Sequence, residues 1–366
     1  MMNTKIQDAI SFGIEELVDM QLQSGEFIYR TGSGVPTPDN RYNILRHSGA
    51  IYSLADCYAF AKKPLNQKIQ QGINWVSKDH LRVFLHEDDW MLAVASDDRM
   101  AGSFNSFKLG GSALYLSAIS LAAEKGLAKF PEDLVRRIGE FLLYMQKDDG
   151  GFHSKIYRRS KKINTKFVSL YYPGEAALAL TFLGEQNPKG PWFRAAVNSL
   201  MYLARLRKGR RNVELDHWAL IATAKILDSK FDISQFERET ILNHMEQIVQ
   251  SIINEADNLS QDGCCTGDGR TCPTATRLEG LTSVYELLLS LQKNPLVDRV
   301  RELIEEYTLF LLDAQYSGGY RKGGFSRSSV KWLRDNKVAP DRRSDEVRID
   351  YIQHAICGLR GALEII

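Results

Sequence analysis

Along the chain, apolar residues recur with a period of about 3.6, and the runs are broken by clusters of Gly, Pro and Asn. Alternating runs of β-branched residues are scarce, so the pattern predicts helices almost throughout. These helices are of two kinds. Some are amphipathic and heavily charged on one side, such as "DLVRRIGEFLLYMQ" and "RVRELIEEYTLFLLDAQ". The others are apolar on nearly every side, rich in Ala, Gly and Ser, and polar only where they begin. Six of the second kind stand out: "YNILRHSGAIYSLADCY" from Tyr42, "LGGSALYLSAISLAA" from Leu109, "YYPGEAALALTFL" from Tyr171, "DHWALIATAKIL" from Asp216, "PTATRLEGLTSVYELL" from Pro273 and "RIDYIQHAICGLRGAL" from Arg348.

Six charged helices alternating with six apolar ones form twelve helices in hairpins. That order predicts an all-α fold, an (α/α)6 toroid or six-hairpin barrel, with the charged helices as an outer ring. The small residues of the inner helices suit a ring in which helices converge closely. A length of 366 residues alone would suit two domains, but toroids exceed the usual domain size, and residues 1–366 are read as one toroid. A second repeat marks the helix ends: Gln-x-x-x-Gly-x-Phe from Gln21 to Phe27, again from Gln146 to Phe152, and loosely from Gln315 to Tyr320. The glycine there suits a left-handed turn, after which the aromatic packs back on its hairpin.

In a toroid all inner helices open at one end of the ring, so their first turns face one funnel. This collects Arg46 and His47; Tyr171, Tyr172 and Glu175; Asp216, His217 and Trp218; Arg277 and Glu279; and Arg348, Asp350, Tyr351, Gln353 and His354. Burying so many ionisable groups is costly unless they pair or meet a ligand. Each also has a plain structural role open to it: Asp216 as an N-cap, Glu175 as a first-turn acid after Pro173, Arg277 and Glu279 as ties between helices, a histidine as a bonded core residue. Polar openings on five of the six inner helices fit a shared pocket better.

Charge refines this picture. The net charge is only +2, but three connections expected at the funnel mouth are basic. His153–Lys166 holds six Lys/Arg and no acid, Arg205–Arg211 holds five and no acid, and Tyr316–Asp345 holds eight against three acids. An anionic small molecule or oligosaccharide is the expected substrate. Nucleic acid is not expected, because no recognition motif or stacking platform accompanies the charge. The amino-terminal stretch lacks an apolar core, so it reads as a first helix rather than a signal peptide, and no membrane span is expected. Five scattered cysteines fit a reducing, cytoplasmic setting. Cys264, Cys265 and Cys272 invite a zinc reading, but adjacent cysteines rarely supply two ligands and the spacing matches no zinc signature. Neither metal nor cofactor is expected.

On these residues the chain resembles the (α/α)6 superfamily of carbohydrate-active enzymes over essentially its whole length. Its placement of residues is similar to the N-acylglucosamine 2-epimerase and cellobiose 2-epimerase group. Those enzymes carry an arginine on the first inner helix and catalytic histidines on the fourth and sixth, positions that Arg46, His217 and His354 match. The group's His-x-x-Glu on the fourth helix is absent here, since Leu220 stands three residues after His217. The resemblance implies epimerisation or isomerisation of an anionic or amino sugar, with His217 and His354 exchanging a proton and Arg46, Arg277 or Arg348 holding oxygen and anion. Glucuronyl-hydrolase-like relatives imply instead a glycoside hydrolase using paired carboxylates, for which Asp216, Glu175, Glu279 and Asp350 are candidates. Lanthionine-cyclase-like toroids imply a third alternative, a peptide-modifying or binding role.

Overall fold

The structure is a computed structural model that describes residues 2–36, 41–87, 89–96, 105–261, 269–292 and 294–366. Helices come in successive outer–inner pairs: α1 (Met2–Asp19) and α2 (Ile44–Asp56), α3 (Asn66–Asp79) and α4 (Leu109–Glu124), α5 (Glu132–Met145) and α6 (Tyr172–Gln186). Then follow α7 (Trp192–Arg207) and α8 (His217–Asp228), α9 (Gln235–Gln261) and α10 (Thr271–Ser290), and α11 (Asn294–Ala314), the short α12 (Val330–Asp335) and α13 (Ile349–Leu363). Each inner helix packs on the next, from α2 through α4, α6, α8 and α10 to α13, and α13 returns to α2. The ring is closed, and the fold is an (α/α)6 toroid. All six inner helices begin within two residues of the positions their sequence pattern indicates. Among the described residues no helix is long and apolar enough to cross a membrane.

The two rings differ for the reason their compositions differ. Every residue from Leu109 to Ala122 of α4 is buried, so no face is left for charge. On α5, Val135, Ile138, Phe141, Leu142 and Met145 face inward, while Asp133, Arg136 and Glu140 pair on the other side. Each such apolar side chain stabilises the fold by about 1.5–3 kcal/mol on burial. Inner helices approach closely enough that a Cβ at Gly174 would lie 2.6 Å from the backbone nitrogen of Ala219. Only glycine permits that contact between α6 and α8.

The glutamine motif turns out to pin the outer ring. Nε2 of Gln21 donates to Gly25 O within its own turn and to Lys68 O of α3. Gln146 repeats this with Gly150 O and Ala195 O of α7, and Gln315 with Gly323 O and Ala9 O of α1. The three turn glycines, Gly25, Gly150 and Gly323, have φ of +94°, +86° and +93°. The third copy is longer than its sequence suggested. Gln315 bridges to Phe325, which is buried, whereas Tyr320 is 82% exposed.

Among the described residues, three two-stranded antiparallel sheets lie in the connections that lead into inner helices. β1 (Arg30–Thr31) pairs with β6 (Val347–Arg348), joining the first outer-to-inner connection to the last. β2 (Leu81–His86) and β3 (Asp89–Val94) form a hairpin that the scarcity of strand signals concealed. Its inward residues Phe84 and Met91 face each other, and Phe84 packs on Phe107 and Phe141. β4 (Ser106–Lys108) pairs with β5 (Lys155–Tyr157).

Candidate active site

The fourth inner helix opens on a buried charge. Asp216 is its N-cap: Oδ1 accepts the Ala219 N–H at 3.1 Å, and Oδ2 accepts from Arg207 at 2.8 Å. Arg207 is 1% exposed and also donates to Glu214 and to the Leu170 carbonyl. Capped and tied in this way, α8 presents His217 to α13. The imidazoles of His217 and His354 meet edge to face, with centroids 5.1 Å apart. His354 Nδ1 lies 2.7 Å from Glu279 Oε2 on α10, and His217 Nε2 is buried without a partner. Burial, reinforced by His354, holds His217 well below the ordinary histidine range, so it is neutral. Burial raises the Glu279 carboxyl, and the adjoining His354 opposes that rise. Trp218 packs between Tyr52 and His354, and Tyr171 stands over His217 at the open side.

Beside this pair lies a clamp built on Asp350. Its carboxylate takes Arg46 Nε at 3.0 Å, Arg348 Nε at 2.5 Å and Arg348 Nη2 at 2.9 Å. Burial alone would raise the Asp350 carboxyl, but the two guanidiniums outweigh it and hold the group below the usual carboxylate range. Tyr29 accepts a hydrogen bond from Arg46, and the Arg348 guanidinium lies 4.3 Å from the Tyr351 ring centre. The Tyr351 hydroxyl donates to Glu346, which also binds Arg30 and Arg343. The β1–β6 pairing, with Arg30 opposite Arg348, brings these groups together. Cys272 also meets Asp350, Sγ to Oδ2 at 3.9 Å, and burial pushes its thiol up to about 12. It is a neutral neighbour of the clamp. Cys264 and Cys265 lie outside the described residues.

Glu175 forms a third part. Its side chain is 4% exposed, Oε2 has no partner, and burial followed by the charge of Asp216 raises its pKa to about 8. A Cβ at Gly110 of α4 would lie 2.2 Å from that oxygen and 2.6 Å from the Tyr172 ring. The absence of a side chain at position 110 therefore makes room for the carboxyl.

Not every candidate joins these groups. His47 turns outward, with Nδ1 2.7 Å from the Tyr42 hydroxyl, Nε2 3.2 Å from Gly72 O and its ring stacked on Trp75 of α3. Burial lowers it to about 3, and it serves as a neutral core histidine. Arg277 pairs with Glu255 of α9 at the rim, and the Gln353 amide lies against Gly49, filling the contact between α13 and α2. Arg207, Tyr29, Glu346 and Tyr52 were not singled out by the sequence. Arg207 read as one of five charges in a basic connection facing an anionic ligand at the funnel mouth, yet it is the buried support of α8. The loop from Tyr316 to Asp345 also carries its charge in pairs, Arg321 with Asp345, Arg327 with Asp341 and Lys331 with Asp313. Arg158, Arg159 and Lys161 instead line a surface groove with Val83 and Leu85.

Among the described residues, two sets of donors lie close enough to share a cation, each with all donor atoms within 4.8 Å: His217, Glu279 and His354, and Asp56, Cys57 and Cys357. In the first, Glu279 is already engaged by His354. The second lies outside the funnel opening.

No protein-family model and no curated relative matches the sequence. Solved structures match the whole fold. A D-mannose isomerase superposes with a TM-score of 0.65 at 10% identity, covering 100% of this chain and 99% of its own. Cellobiose 2-epimerase from Spirochaeta thermophila gives 0.64 at 11%, covering 99% and 98%. An unsaturated glucuronyl hydrolase specific for heparin gives 0.59 at 10%, covering 99% and 98%. At these identities the likeness is one of fold: the chain is an (α/α)6 toroid of the kind these carbohydrate-active enzymes share.

Proposed function

We propose that the protein is a carbohydrate-active enzyme that epimerises or isomerises a reducing sugar carrying an anionic or amino group. The observation that carries this reading is the buried pair of imidazoles, His217 facing His354, with Glu279 on the far nitrogen of His354. Moving a proton at the carbon next to a carbonyl requires a base and an acid that exchange roles near neutrality, and imidazole suits both. His217 is neutral and has a free nitrogen to accept the proton. Glu279 holds the His354 ring and stabilises it when charged, leaving Nε2 for the substrate. Return of the proton to the same carbon from the other face gives epimerisation, and its return to the neighbouring carbon gives isomerisation. Arg46 and Arg348, at the mouth of the same funnel, are placed to bind an anionic group and polarise oxygen. Tyr171, 42% exposed, supplies a flat surface for the sugar ring, whereas Trp218, expected to bind substrate, is buried between Tyr52 and His354 and supports the histidine pair.

Hydrolysis with two carboxyl groups has less support. Among the described residues Asp350 is tied to two arginines, Asp216 to Arg207 and Glu279 to His354, which leaves Glu175 as the one candidate acid without a partner. The test is incubation with a panel of aldoses, amino sugars and sugar acids in D2O, read by NMR and mass spectrometry. Deuterium incorporated at the carbon beside the carbonyl is expected. Incorporation into none of them, with glycoside cleavage instead, would overturn the reading.

A further inference from the structure

Cys57 caps the C-terminus of α2, and Cys357 stands midway along α13, one turn beyond His354. They face each other across the seam where the first inner helix meets the last. Both are buried, at 0% and 4% exposure. The carboxylate of Asp56 adjoins them, and the three donor atoms lie within 4.8 Å of one another. We propose that Asp56, Cys57 and Cys357 form a binding site for a thiophilic divalent cation such as Zn2+, which clasps α2 to α13.

Four features carry the assignment. The donors are of the right kind, since cysteine thiolate and aspartate carboxylate are both zinc ligands, and water can complete four-coordination. Their spacing is close to what is needed: tetrahedral zinc with Zn–S of about 2.3 Å brings its donors to roughly 3.5–3.8 Å apart, a contraction that side-chain rotation can supply. Arg360 donates through Nε to Asp56 Oδ2 at 2.8 Å, so the carboxylate is already oriented, with its other oxygen left for an ion. The charges also balance, because two thiolates, one carboxylate, the Arg360 guanidinium and a divalent cation sum to zero. Without the cation these thiols are held neutral: burial raises Cys57, and the Cys57 contact and burial raise Cys357. Ion entry would therefore release their protons. A route exists, since the side chains of Asp56 and Arg360 are 18% and 33% exposed.

Co2+ titration of the reduced full chain reads the site directly. A sulfur-to-cobalt charge-transfer band should rise to one equivalent and disappear on adding Zn2+. The double variant Cys57→Ser, Cys357→Ser should lose the band. Asp56→Asn should keep it while weakening Co2+ binding about tenfold or more, the scale seen even for outer partners of a metal ligand. Zn2+ should also raise the unfolding temperature of the wild type by mass action. Should the serine variants fail to fold, alkylation of the wild type followed by mass spectrometry replaces them, with Zn2+ expected to protect Cys57 and Cys357. The proposal is overturned by a wild-type chain that gives no band, by a band that survives in the double variant, by Zn2+ leaving alkylation unchanged, or by a complete Cys57–Cys357 disulfide in unreduced protein.

Discussion

His354 of α13 places its Nδ1 2.7 Å from Oε2 of Glu279 on α10, so one hydrogen bond both orients an imidazole and crosses between two walls of the ring. The bond fixes which nitrogen of His354 is free for chemistry. If His354 exchanges protons with substrate, His354→Asn and His217→Asn should each lower kcat/KM by about 10²–10⁴-fold while leaving the far-ultraviolet circular dichroism unchanged. Glu279→Gln keeps an oxygen for the Nδ1 proton but removes the charge, and should fall between wild type and Glu279→Ala. Steady-state kinetics on the sugar found by deuterium exchange checks the order.

Asp350 joins Arg46 and Arg348, and its removal leaves two guanidiniums without their shared counter-charge. Asp350→Asn should lower the free energy of unfolding by about 3 kcal/mol, the lower end for breaking a buried pair because Arg46 keeps partial access to water. Denaturant unfolding measures this. An unchanged midpoint would mean that the clamp contributes little to the fold.

Glu175 makes stability depend on pH in a stated direction. Its pKa is raised from 4.5 to about 8, so the folded chain keeps a proton that the unfolded chain releases. The associated stability is full below about 4.5, declines as pH rises and is lost above about 8. Glu175→Gln removes that slope. Thermal unfolding should show the variant losing less stability than wild type between pH 5 and pH 8.

A methyl group at position 110 would enter the space of the Glu175 carboxyl. Gly110→Ala should destabilise the chain by about 1–3 kcal/mol, as overpacking does. Pairing it with Glu175→Ala should recover part of the loss in a double-mutant cycle. Additive losses would show that the two positions do not share that space.

Each glutamine pin satisfies two carbonyl oxygens with one amide. Gln315→Leu should cost about 1–3 kcal/mol, because Gly323 O loses its side-chain donor and the tie to the Ala9 carbonyl of α1 is broken. Gln146→Leu should behave alike. Hydrogen exchange should accelerate at α1 for the first variant and at α7 for the second.

The ring, and the clustering of polar residues where its inner helices open, were legible in sequence because a helix of small apolar residues must be covered on every side. Its polar first turn must then meet partners or a ligand where the helices open. Asp216, His217, Glu279, Asp350 and His354 all sit in those openings, close to a recognisable helix start. What stayed hidden was set by distant partners. Arg207 lies among basic residues that read as facing an anionic ligand at the funnel mouth, and nothing in that run shows that Asp216 and His244 close around it. Arg30 and Glu346 are 316 positions apart, so no local pattern can announce their pairing. The Leu81–Val94 hairpin was hidden by its shortness and by only one buried residue in β2. The third pin was misplaced at Tyr320 because extra residues before Phe325 lengthen its turn while keeping its hydrogen bonds.

Arg207 has a consequence for how the chain assembles. Its charge is enclosed by the end of α7, the connection to α8, the cap of α8, His244 of α9 and a carbonyl just before α6. Glu214 and Asp216 both belong to the α7–α8 hairpin, so its own carboxylates answer the charge, while His244 of α9 and the Leu170 carbonyl complete the enclosure from the neighbouring hairpins. That enclosure is complete only when the third, fourth and fifth hairpins have met, so one buried charge is shared across three repeats of the ring.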